Sequence, residues 1–444
     1  DEAILSEIRE LSRKGGSPII IVRRRRYSKT QRKHQGYDRK RGAIEELIRG
    51  LCGEATDFRA VFGAEADELR GTTASVTRLD ESPPRENRSG ALRLDESSPP
   101  ASPTPTTVIT PAFDYLMLLD FDTLPLMDAI PALVSIAEHP LNARFGIFAP
   151  RISGTLSSCL KTPFSRVFGG NGGCFSASLY DSFAGELYFD CFGEGIFTGK
   201  GLVRVTDFYK KCCGVFPDET VLSHDILEGG LCGTAFVGDV EAADSFPSTS
   251  HAYFKRQHRW LRGDFQNVGY IGDKRFSPLT RWKLFDNVRR AMSAPSALAL
   301  CFAAAYLDSG LLLAAALLSA AMPFIVSLFP IAAKGFSFME SRQFFAPVHS
   351  AVGLVISQLF MELLLLAKNA TVALDAALRT LWRKNISHRN LLQWTTASAL
   401  DRAGGGFLHL AAAELLSLLL LIYAVMYSCI PVLVYSIYLL AMPP

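Results

Sequence analysis

Two stretches of this sequence, 293–333 and 407–442, are almost free of charge, whereas residues 1–290 mix charged, polar and apolar residues throughout. Apolar runs of that length need either a large protein core or hydrocarbon around them. The 444 residues therefore divide into a soluble domain over 1–290 and an α-helical transmembrane region over 291–444.

Within the second part, 293–308 and 310–333 each approach the roughly 20 residues that span a bilayer. Residues 344–367 are interrupted by His349, Gln358 and Glu362, so the region about 344–400 is expected to lie along the interface. Residues 407–442 fit two short crossings broken near Pro431. Arg281, Lys283, Arg289 and Arg290 precede the first run, and Arg379, Arg383, Lys384 and Arg389 precede the last pair. Positive flanks face the cytoplasm, and four crossings keep both clusters on one side. The expectation is an integral protein of the cell membrane, with a lipid bilayer as partner and the soluble domain in the cytosol. Nine cysteines without a CxxC pair fit reduced thiols there. A net charge of +3 gives no ground for a nucleic-acid partner.

Helical spacing over 2–13, a short strand at Pro18–Val22 and a helix from Arg41 to Leu51 open the soluble part. Residues 64–110, rich in Ser, Thr, Pro and charge, cannot bury enough apolar area to offset their ordering entropy. They read as a disordered insertion, with RLDESPP nearly repeated as RLDESSPP. A strand then covers 113–119, a helix 126–137, glycine-rich loops 154–201, and an aromatic and basic helix about 250–267. Alternating strand and helix signals point to an α/β domain.

Asp120 and Asp122 close the clearest strand, and alternate positions let both carboxylates face one cation. Ligands of α/β sheets gather at such strand ends. Hard cations such as Mg²⁺ or Mn²⁺ take oxygen ligands from carboxylates and a diphosphate. A DxD alone more often marks only a solvated strand end. Asp225, in Ser223-His224-Asp225, is a candidate general base for a hydroxyl nucleophile; a helix cap explains it equally well. Gln257 and Trp260 share a helix face, where an indole can stack on a sugar and an amide can bind hydroxyls. Arg259 beside them can hold a phosphate. The bland alternative is an interfacial helix anchored by Trp and Arg. Lys40-Arg41-Gly42 at a helix start suits a diphosphate. The loops Gly193-Glu194-Gly195 and Gly199-Lys200-Gly201 need glycine for close approach or positive φ, and turn formation alone would also account for them.

The order DxD, glycine loop, acidic residue and QxxRW-like helix beside apolar segments resembles the processive GT-A glycosyltransferases, the group of cellulose, chitin and hyaluronan synthases. The closest resemblance is to the glycosyltransferase domain of cyclic β-1,2-glucan synthases. It is carried by RRRRY (23–27), DRKRGAIEEL (38–47), LDFDT (119–123), HPLN (139–142), FGEGIFTGKG (192–201), VLSHDILEG (221–229), RQHRWLRGDF (256–265) and RNLLQWTTA (389–397). The resemblance implies a GT-A-like, Rossmann-type domain that here lacks its first strands. It also implies glucose transfer from UDP-glucose to a growing glucan acceptor, with inversion. Asp120 and Asp122 would bind Mg²⁺ or Mn²⁺ and UDP, Lys40 the diphosphate, and Asp225 would be the base. Gln257, Arg259 and Trp260 would hold acceptor or nucleotide. One departure is clear: the family's glutamine position is Arg256 here, and Gln257 follows it. Two other readings remain open at this stage, a cellulose- or chitin-like synthase of another linkage and a non-catalytic membrane protein on a truncated transferase fold.

Overall fold

The computed structural model describes residues 20–23, 25–54, 56, 58–62, 113–169, 186–337, 345–393 and 407–441. The expected helix at 2–13, the expected insertion at 64–110 and the middle of the glycine-rich stretch lie outside the described residues. Contacts divide the chain into two units, Asp1–Arg26 with His34–Asp114, and Tyr27–Lys33 with Tyr115–Pro444.

In the smaller unit, β1 (Ile20–Arg23) pairs antiparallel with a later strand. Two short strands, β2 (Arg25–Ser28) and β3 (Lys33–Gly36), pair with each other. Helix α1 (Arg39–Leu51) buries Ile44, Ile48 and Leu51, which recur on one face. Arg41 is buried beside them because Asp38 and Glu45 flank its guanidinium, with Nη1 donating to Glu45 Oε1 at 3.1 Å. Arg23 ties β1 to α1: Nε donates to Glu46 at 2.7 Å, and the other nitrogens donate to the carbonyls of Arg39 and Tyr37. Strand β4 (Phe58–Phe62), the partner of β1, follows.

The larger unit holds a five-stranded sheet. Its strands are β5 (Tyr115–Leu118), β6 (Leu124–Pro125), β7 (Ile147–Gly154), β8 (Gly201–Arg204) and β9 (Thr234–Asp244), in the order β5-β8-β7-β9-β6. β7 and β9 run parallel and the other pairings are antiparallel. β7 lies in the middle, and its residues Ile147–Pro150 are all buried, as a strand covered on both faces requires. Helix α2 (Ala129–Glu138) lays Ala129, Leu133 and Ala137 on Phe148, Leu202, Ala235 and Val237. Short helices α3 (Leu156–Cys159), α4 (Pro163–Gly169) and α5 (Leu187–Phe192) fill the connection to β8. α6 (Val205–Cys212) and α7 (Asp225–Cys232) lie between β8 and β9. A mixed sheet with helices fits the expected α/β class.

Helix α8 (Ser250–Asn267) has the expected bounds, because Thr249 caps its start by accepting from the Ala252 N–H at 3.2 Å. The remaining helices are α9 (Pro278–Ala291), α10 (Ser293–Tyr306), α11 (Gly310–Ser337), α12 (Phe345–Leu364), α13 (Leu366–Trp382), α14 (Phe407–Met426) and α15 (Ile430–Leu440). Small residues, among them Ala297, Cys301, Ala304, Ala370 and Ala424, let these helices approach closely. Leu311, Leu419, Ile422, Met426, Ile430 and Val434 are exposed on their outer faces.

The expected crossings are not borne out helix by helix. Among the described residues no single helix is long and apolar enough to cross a membrane. α10 has 14 residues, a rise of about 21 Å against roughly 30 Å of hydrocarbon. The breaks between these helices, at Leu307–Ser309 and Tyr427–Cys429, where Asp308 and Ser428 take φ of 45° and 56°, fall close to where the apolar runs divide in the sequence. One bent pair meets the length and composition test together, Val352–Leu364 with Leu366–Ser387, at an angle of 63°. It includes much of the stretch expected along the interface.

Candidate active site

The antiparallel register brings two loops to one end of the sheet. Leu118, the last residue of β5, pairs with Gly201, the first of β8. The loop leaving β5, with Asp120 and Asp122, therefore emerges beside the loop entering β8, with Gly199 and Lys200. β6 pairs Leu124 with Ala243, which adds the end of β9 to the same edge. There Thr123 Oγ1 donates to Asp244 Oδ1 at 2.5 Å. Lys200 Nζ donates to Asp244 Oδ2 and stands 3.4 Å from Asp120 Oδ2. Asp122 is exposed two residues further on.

Gly199 connects this group to Asp225. Its φ is +82°, and a Cβ there would stand 2.6 Å from Asp225 Oδ1. The Asp225 carboxyl thus rests against a backbone that only glycine keeps clear. Alanine at Gly199 is expected to cost about 1–2 kcal/mol, from left-handed strain and displacement of the carboxyl. A thermal melt checks this, and an unchanged Tm would mean that Asp225 swings aside freely.

Asp225 is the first residue of α7, where the helix dipole favours a carboxylate. Its Oδ1 is buried without a hydrogen-bond partner among the described residues, while the side chain as a whole is 29% exposed. The other oxygen is therefore the one turned outward. His224 Nδ1 lies 2.9 Å from Glu228 Oε2 and 3.4 Å from Asp225 Oδ1. Glu228 is fully buried, so it fixes the imidazole from behind. Among the described residues these three also form the one group of three or more potential metal ligands. The Nδ1 lone pair or proton is already engaged with Glu228, however, and internal pairing explains the cluster without an ion.

Helix α8 supplies the cationic side. Burial lowers the pKa of Arg259, while the charges of Asp225 and Asp120 hold it up, so its guanidinium answers to both carboxylates. Burial likewise lowers Arg256, with Asp244 and Asp122 among the charges opposing that shift. Arg256 lies over the Trp260 ring at 4.8 Å and the Phe246 ring at 5.2 Å. Gln257 turns elsewhere: its Nε2 donates to the Tyr253 hydroxyl at 3.1 Å. Behind α8, His258 Nε2 pairs with Asp375 Oδ2 at 2.8 Å, Lys384 donates to the Gln266 carbonyl at 2.9 Å, and Arg262 donates to the Gln393 carbonyl. The helix that presents these side chains is thereby tied down.

Of the residues singled out in the sequence, Asp120, Asp122, Asp225 and Arg259 thus share one neighbourhood of the larger unit. Trp260 lies beside it under Arg256. Lys40 sits in the first turn of α1, in the smaller unit. Asp244 and Glu228 were missed, and Lys200 and Arg256 were noted in the sequence without a role at the site. Glu228 had a legible signal, four residues after His224 on the same helix. Asp244 had none, since only strand pairing brings it here. A large groove of about 640 Å³ lies elsewhere, lined by apolar side chains such as Phe302, Tyr306 and Ile422, and offers no groups for chemistry.

No protein-family model matches the chain. Its sequence is 27% identical over 412 residues to the cyclic beta-(1,2)-glucan synthase NdvB of Rhizobium meliloti, covering 87% of this chain and 13% of that protein. It is also 27% identical over 198 residues to the glucans biosynthesis glucosyltransferase H of Escherichia coli K12 and of Klebsiella pneumoniae, covering 41% of this chain and 22% of those proteins. The chain thus spans only a small part of the curated relatives it matches. The printed names of these relatives are those of a glucan synthase and a glucan-biosynthesis glucosyltransferase.

Proposed function

We infer that this chain is the catalytic part of a membrane-bound, inverting glucosyltransferase that moves glucose from UDP-glucose to a growing β-glucan, with β-1,2 linkage. The observation that carries the reading is the convergence of Asp120, Asp122, Lys200, Asp225 and Arg259 at one end of the sheet. Acidic and cationic groups so arranged meet the needs of transfer from a nucleotide sugar: a base for the acceptor and positive charge for the leaving group.

In this reading the outward oxygen of Asp225 takes the proton of an acceptor hydroxyl. The hydroxyl oxygen attacks C1 of the glucosyl group from the face opposite the diphosphate. The C1–O bond to phosphate breaks, UDP departs with the electron pair, and the α-linked donor gives a β-linked product. Arg259 and Arg256 stabilise the leaving diphosphate. Trp260 offers a stacking face for a sugar or base, and Gln257 steadies Tyr253 at its side.

Asp120 and Asp122 are the residues that would hold Mg²⁺ or Mn²⁺. Hard carboxylate oxygens suit such an ion. The ion would neutralise charge on the departing diphosphate. The exposed apolar faces of α11, α14 and α15 and the similarity to glucan synthases support a bilayer partner. The basic clusters at 281–290 and 379–389 support a cytosolic face for the site.

Membranes carrying this chain are expected to incorporate labelled glucose from UDP-glucose into polymer, with incorporation lost on chelation and in Asp122→Ala. Absence of incorporation under Mg²⁺ and Mn²⁺ would count against the reading. Linkage analysis of the product separates the β-1,2 assignment from a cellulose- or chitin-like one.

A further inference from the structure

We propose that Lys200 is an internal cation that keeps Asp120 and Asp122 from taking up a divalent ion until a nucleoside diphosphate is bound. This rests on the reading of those two carboxylates as metal ligands.

The geometry supplies the argument. Lys200 Nζ is anchored on Asp244 Oδ2 and stands 3.4 Å from Asp120 Oδ2. The anchor is itself oriented, because Thr123 Oγ1 holds the other oxygen of Asp244. The backbone on either side of the lysine is packed too closely for side chains. Gly199 and Gly201 carry φ of +82° and +146°, and a Cβ on Gly201 would stand 2.5 Å from the Phe148 carbonyl oxygen of the neighbouring strand. The lysine side chain is only 11% exposed, against 42% for Asp120, so its charge is partly screened where it meets that carboxylate. Repulsion of a second cation at this range is then moderate.

An ion approaching Asp120 alone must displace or tolerate that ammonium. A nucleoside diphosphate changes the balance, because its phosphate oxygens give both cations a shared anion. Lys200 can then stay on Asp244 and turn toward phosphate while the carboxylates take the ion. Donor and ion would therefore bind together, and the site would hold little metal between turnovers. The chemical class recognised is a diphosphate with its divalent cation, and the specificity lies in the order of binding.

The test is a Mn²⁺ titration followed by electron paramagnetic resonance, with the full chain in detergent, with and without UDP. Wild type is expected to bind Mn²⁺ weakly alone and much more tightly with UDP. Lys200→Met is expected to bind Mn²⁺ alone about tenfold more tightly than wild type, with most of the UDP dependence gone. Lys200→Arg keeps the charge and is expected to behave as wild type, which guards against a misfolded methionine variant. If Lys200→Met binds Mn²⁺ alone no better than wild type, while both bind it with UDP, the proposal is overturned and the metal reading stands. If wild type binds no Mn²⁺ even with UDP, the metal reading itself fails.

Discussion

Asparagine in place of Asp225 is expected to lower kcat for glucosyl transfer by about 10²–10⁴-fold, while KM for UDP-glucose changes little. The substitution keeps the shape that rests against Gly199 and the place at the start of α7. It removes only the ability of the outward oxygen to accept a proton. An acceptor hydroxyl is a poor nucleophile without that help, so the loss falls on the chemical step rather than on donor binding. The neighbours make the interpretation clean: buried Glu228 holds His224 at 2.9 Å, and this scaffold survives the change. Initial rates over a range of UDP-glucose check the split. A kcat within tenfold of wild type would remove Asp225 from the role of base. A rise in KM alone would make it a donor contact instead.

The local elements of the site were legible because each is written in a short stretch. Helix α8 shows its aromatic and basic pattern, and the strand before Asp120 is a run of apolar residues ended by acidic ones. The assembly was not legible. Lys200 meets Asp244 across 44 residues and Asp120 across 80, and only the register of β5, β8 and β9 brings them together. Helical spacing placed Gln257 on the face of Trp260, yet Tyr253 one turn earlier captures its amide. Arg256, four residues before Trp260, takes the position over the indole instead. The departure from the family's glutamine is thus a place where a cation faces the carboxylates of Asp122 and Asp244. In the apolar half, the apolar runs located the helices and, within a few residues, the breaks between them, which fall at the turns of Asp308 and Ser428.

Replacing Lys283 with Met is expected to be the most destabilising single change near the site, costing about 3–5 kcal/mol. Lys283 is 2% exposed, and its ammonium donates to the carbonyls of Glu194 and Gly195 at 2.9 Å each and to Glu194 Oε1 at 3.0 Å. Burial pulls its pKa down, and the Glu194 carboxylate opposes that pull. Methionine fills similar volume but leaves two carbonyls without their donor and a carboxylate without its counter-charge. The hydroxyls of Thr280 and Ser277 still donate to Glu194, at 2.8 and 3.1 Å, and soften the loss only in part. The double variant Lys283→Met with Glu194→Gln should recover part of the stability, because the uncompensated charge is then gone. Urea unfolding of the three proteins tests this, and a single variant within 1 kcal/mol of wild type would refute it. The consequence reaches the chemistry through the chain itself. Residues 194–195 lead through Phe197, which packs against Gly229 of α7, to Gly199 and Lys200. A lysine with no contact to substrate thus fixes the loop on which the base and the internal cation both depend, and hydrogen exchange over 193–201 should quicken in the variant before global unfolding begins.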